Sequence, residues 1–273
     1  MSKKQITTVA SNELLAQLAS QYPQEAGFSR LLLPRLTFKS QDVMEGKGKN
    51  KKVTVEAGTF FIEKPTEEKN EEGKPVWEKI ELGTEIEGYI VYQRKQLRFY
   101  DEPNEVYYST PIYDTNEDVI PLFKGRAKVA TGTPAELKKS FEFTSEDGKI
   151  RSKLEDNVVL YVWYKDELYQ MSLRGSSMYS FRGYARKIAV PTVLTHFSST
   201  PQEKGSIEWN QMEFTVLRVV DSNEAQTVIE QQNKIKEAIE LERQAYKNMV
   251  SDDKVTAAVI DESAALPAGD DDF

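Results

Sequence analysis

The chain of 273 residues has no cysteine and a single histidine, His196. The first absence excludes disulfides, thiol nucleophiles and cysteine-ligated zinc; the second removes histidine-rich metal sites and most catalytic arrangements built on an imidazole. His196 falls in the alternating stretch VLTHFSS and reads as a structural strand residue. No run approaches the roughly 18 apolar residues of a spanning helix, and the opening MSKKQITTV has no apolar stretch after its lysines. The expectation is a soluble protein of the cytoplasm.

Phosphate-cradling motifs are missing as well. There is no GxxxxGK[ST] and no GxGxxG after a strand, and the run GKGKNKK at 46–52 leads into no helix. Carboxylates are plentiful, yet EEKNEE and the pair Glu146 and Asp147 fall in loops, not on facing strand ends that would hold a metal or an acid/base pair. A protein without catalytic activity, cofactor or metal is expected. Nor is there an excess of base. The formal charge is -8, and residues 221–273 carry all of it with 13 acidic and 5 basic residues, while residues 1–220 hold 31 of each.

What is present is a β-rich middle. Period-2 or wholly apolar runs recur between turn clusters from Val53 to Asp221, among them VTVEAGTFFIE, TEIEGYIVYQRKQLRFYDE, NVVLYVWYKDELYQMSLRG and WNQMEFTVLRVVD. The loops at 64–74 and 144–153 read as insertions. A helix running from Ser176 or Ser177 to about Ile188, stopped by Pro191, interrupts the strands. Three or so strands, one helix and two more strands is the order of an OB-fold, a Greek-key barrel that commonly binds oligonucleotides. The predicted class is therefore mainly β, an elaborated OB-fold-like barrel. Around the body at 53–220 lie an N-terminal region at 1–52, a helix over 221–250 and a disordered acidic tail at 251–273. The N-terminal region holds a short helix (Asn12 to Tyr22), a strand and a basic loop. The C-terminal helix shows one narrow apolar face with Val228, Ile235 and Ile239, which should dock on the barrel or on a partner subunit.

Aromatic and basic residues are interleaved in this body, the mixture a single-strand binder needs, since rings stack on unpaired bases while cations neutralise phosphates. Tyr92, Arg94 and Arg98 share one parity, and a hairpin turn near Gln96 would set Arg94 across from Arg98. Trp163 is a stacking candidate in a run whose two parities are both apolar. Lys124, Arg126 and Lys128 alternate in LFKGRAKVA, which reads as one cationic strand face, and a strand edge guarded by lysines is the competing reading. The helix adds Arg174 at its entry and places Tyr179, Arg182 and Arg186 on one side, with Phe181, Tyr184 and Ile188 on another.

The last four residues, Asp270, Asp271, Asp272 and Phe273, join negative charge to one terminal ring, suited to a basic pocket with an apolar floor. With the body above, this tip resembles the single-stranded DNA-binding proteins of bacteria and bacteriophages. Asp272 before Phe273 is similar to the phage form of the tip. The resemblance implies sequence-independent binding of single-stranded DNA and docking of replication or recombination enzymes on Asp270 to Phe273, in a bacterial host cytoplasm. Two alternatives keep their place: a phage structural or regulatory protein that self-assembles without nucleic acid, and an adaptor that uses the tail alone.

Overall fold

The computed structural model describes residues 33–45, 52–69 and 75–251. Its strands in chain order are β1 (Arg35–Phe38), β2 (Val43–Glu45), β3 (Lys52–Val55), β4 (Phe60–Lys69), β5 (Pro75–Gly83), β6 (Ile86–Asp101), β7 (Val106–Ser109), β8 (Ile120–Lys124) and β9 (Ala127–Gly132). The short helix α1 (Pro134–Lys139) follows, then β10 (Glu142–Thr144), β11 (Ile150–Ser152), β12 (Glu155–Tyr164) and β13 (Glu167–Leu173). Helix α2 (Gly175–Ala185), β14 (Val193–Lys204), β15 (Ile207–Val219) and helix α3 (Ser222–Ser251) complete it. The expected helix at 12–22, most of the basic loop and the acidic tail lie outside the described residues.

The protein is mainly β, and the order β6, β12, β13, α2, β14, β15 is the one expected of an OB-fold-like barrel. β6 is long enough to serve two neighbours on one side, pairing with β14 through Ile86 to Gly88 and with β7 through Arg98 to Asp101. Its other side pairs with β12 from Tyr89 to Arg98. β12 turns into β13 through Lys165 and Asp166, both at positive φ, as a two-residue type I′ hairpin requires. β13 then pairs in parallel with β1. Beyond β1, the Ser40 carbonyl accepts from the Asn210 amide of β15 at 2.6 Å, and β15 returns through β14 to β6. β1 itself stands between β13 and β4, and the bond from Asn210 to Ser40, just past the end of β1, brings β15 to the same seam. Gly58 is needed at this seam: its φ is +84°, and any Cβ there would collide with Ser199 Oγ of β14.

Alternation decides the layers. Val158, Leu160, Val162 and Tyr164 of β12 point into the barrel with Ile90, Met171, Leu173, Phe197 and Phe214, and α2 adds Met178, Phe181 and Tyr184 to this core. The opposite parity, Val159 and Tyr161, packs outside with Val91 and Leu168 against Val228, Ile235 and Ile239 of α3. Both parities of β12 are apolar because both faces are buried. Helix α3 docks on its own barrel, with Gln232 Nε2 donating to the Val91 carbonyl at 2.9 Å.

Between β6 and β12 the chain makes a folded excursion of β7, β8, β9, α1, β10 and β11. It has its own core of Leu97, Tyr113, Ile120, Leu122, Leu137 and Leu154. The segment expected as a loop at 144–153 is mostly the β10–β11 hairpin, and the charged loop expected from Lys64 is β4 as far as Lys69. Among the described residues no helix is long and apolar enough to cross a membrane.

Candidate nucleic-acid interface

The β6–β7 hairpin carries aromatic residues on both faces because its register pairs Phe99 with Tyr108 and Tyr100 with Tyr107. On the first face Phe99 and Tyr108 stack at 5.7 Å between ring centres, and Phe141, at the root of β10, stands edge-on to Tyr108 at 5.2 Å and to Phe99 at 6.3 Å. The three rings are half-buried. Lysines lie over them: Lys153 Nζ is 5.7 Å from the Phe99 ring centre and Lys124 Nζ 5.6 Å from that of Tyr108. Such contacts hold a cation beside a ring face without removing it from solvent. The result is a platform that is aromatic at its centre and cationic at its rim.

The hairpin β10–β11 continues the platform. Pairing of Phe143 with Arg151 fixes the register, and the Lys153 amide donates to the Phe141 carbonyl at 3.0 Å, so Phe141, Phe143, Arg151 and Lys153 share one face. Phe143 is 41% exposed, so this face of the hairpin keeps an apolar ring open to solvent. At the tip Asp147 pairs with Arg151 at 2.9 Å, and its carboxyl is held down at about 2, first by the Ser145 hydroxyl and then by Lys149.

In the other direction the platform is tied to helix α2. Asp156, at the start of β12, binds Lys138 of α1 at 2.7 Å and Arg182 of α2 at 3.7 Å. One carboxylate thus joins two cations from separate helices and leaves the junction positive. Arg182 also lies 6.0 Å from the ring centre of Tyr179, which is 67% exposed. Behind this junction burial, and next Asp156, raise the Tyr113 phenol, which stays a neutral hydroxyl.

The sequence candidates distribute unevenly over this geometry. Lys124, Tyr179 and Arg182 belong to the connected stripe, and Arg174 and Arg186 are exposed at the two ends of α2. Arg98 lies on the opposite face of the β6–β7 hairpin, 5.3 Å from the Tyr107 ring centre. Tyr92 and Trp163 sit half-buried at the apolar patch covered by α3. Arg94 is a correction. No turn forms at Gln96, because β6 is continuous from Ile86 to Asp101. The Arg94 side chain is buried, 3.3 Å from Asp114 and donating to the Ile112 carbonyl at 2.7 Å. The cationic strand at 124–128 is a second correction. Gly125, at φ +57°, and Arg126 form a two-residue turn between β8 and β9, so Lys124 pairs with Ala127, and Lys128 with Phe123. All three cations are exposed, but on a hairpin tip instead of one strand face.

Tyr108, Phe141, Phe143, Lys153 and Arg151 are not among the sequence candidates, and Phe99 belongs only to the interleaved aromatic and basic run of β6. A signal for Phe141, Phe143, Lys153 and Arg151 existed: Asp147 and Gly148 mark a turn that folds FEF back on the basic run Lys149 to Lys153. The tip residues Asp270, Asp271, Asp272 and Phe273 lie outside the described residues. No group of three or more histidine or carboxylate side chains converges as a metal site among the described residues. No protein-family model, curated protein or solved structure matches this chain.

Proposed function

We propose that the chain binds single-stranded DNA without sequence preference and without catalysis, along the stripe from Lys124 through Tyr108, Phe99 and Phe141 to Arg182 and Tyr179. The observation that carries this reading is the cluster of three half-exposed rings with a lysine over each of two of them. A base with both faces free can stack on such a surface while its phosphates meet the rim, and every base has a π face, so no sequence is preferred. The zero net charge of residues 1–220 is no obstacle, because Lys124, Lys138, Lys153 and Arg182 gather on the stripe while five acids sit on the described residues of β4 and β5. The acidic tip Asp270 to Phe273 would then recruit replication or recombination enzymes in a bacterial cytoplasm, its charge steering the encounter and its ring anchoring it.

The test is fluorescence anisotropy of a labelled oligo-dT, with a matched duplex as competitor, titrated with the full chain and with a chain ending at residue 250. Preference for the single strand that survives tail removal supports the proposal. No binding by either form overturns it in favour of an assembly or adaptor role.

A further inference from the structure

We propose that copies of this chain associate head to tail by strand addition, the open edge of β9 in one copy pairing antiparallel with the open edge of β5 in the next. β5 and β9 are the two end strands of the eleven-stranded sheet, and among the described residues each has one partner strand, β4 and β8 respectively. Both edges are solvent-exposed along most of their length, including Val129 at 48% and Ile80 at 39%. An open edge presents unpaired backbone groups that another chain can complete.

Charge decides which chain. The β8–β9 hairpin at 120–132 holds three cations and no acid, whereas the described residues of β4 and β5, 60–69 and 75–83, hold five acids and three bases. Over the described residues the two ends of the sheet therefore carry charges of +3 and -2, which favours joining unlike ends and opposes joining like ones. Register agrees with charge. An antiparallel pairing that sets Val129 opposite Ile80 also sets Lys128 opposite Glu81, an apolar and an ionic pair side by side. The parallel alternative with the same apolar pair would set Lys128 opposite Lys79. Because the two surfaces differ, the contact is heterologous, and it repeats from copy to copy as a chain or closes as a ring beyond the dimer. The association does not depend on nucleic acid.

Sedimentation equilibrium of the full chain across a wide concentration range tests this. The weight-average mass is expected to rise past that of a dimer, and Lys128→Glu or Glu81→Lys alone should each weaken association about tenfold by turning one attractive cross-strand pair repulsive. Both positions are exposed, and an unchanged circular dichroism spectrum certifies that each variant folds. An equimolar mixture of the two variants should recover association, since each reversed edge then meets the other's reversed edge. A monomer at all concentrations, a mass that saturates at the dimer, indifference to Lys128→Glu, or a mixture that stays dissociated overturns the proposal.

Discussion

Replacing Lys124 and Lys153 together by glutamine removes two cations from the rim of the aromatic platform while leaving its rings in place. Each is exposed and lies 5.6–5.7 Å from a ring centre, so neither is needed to fill a core. Lys138 and Arg182, by contrast, share Asp156, which compensates part of their charge. Each phosphate neutralised on a single strand contributes about 0.7 to the slope of log affinity against log salt, so the double variant should flatten that slope by about 1.4. Over a fourfold rise in salt the variant then loses about sevenfold less affinity than the parent chain. Anisotropy titrations of oligo-dT at several salt concentrations measure this directly. Phe141→Ala is the matching control: it should weaken binding at every salt concentration, by about 1–3 kcal/mol, with the slope preserved. An unchanged slope in the lysine variant would refute the assignment of the rim to phosphate contact.

Asp114→Ala should destabilise the fold by about 3–5 kcal/mol in urea unfolding, because it strips the buried Arg94 guanidinium of its carboxylate, and it should leave the salt slope of DNA binding unchanged. The Glu224 carboxyl, bound bidentately by Arg218 and also by the Tyr89 hydroxyl and the Asp221 amide, is held at about 2. Its folded value lies below its unfolded one. The contribution is therefore complete above the ordinary carboxylate range and is lost as pH falls from there through about 2. Partial exposure screens the pair, which limits the contribution to about 1 kcal/mol. Unfolding midpoints from neutral pH to about pH 3 should fall less steeply in Glu224→Gln than in the parent chain.

Several parts of this molecule are local enough to be legible in the residues themselves. Strand alternation, the helix ended before Pro191 and the seven-residue and four-residue spacing of Val228, Ile235 and Ile239 express their periods without reference to a partner. Within α2, the division between buried Phe181 and Tyr184 and exposed Tyr179 and Arg186 also follows from helical spacing. Pairing across the chain is different. Whether Arg94 meets solvent depends on Asp114, twenty residues away on the excursion, and whether Trp163 is wet depends on α3, some sixty residues further on. Phe99, Tyr108 and Phe141 make a platform because one hairpin and one returning strand bring them together, an arrangement that no spacing in the chain encodes. Local periodicity determined which residues form strands and helices. Tertiary pairing decided which faces stay open to a ligand, because alternation presents two faces and packing against another element buries one of them.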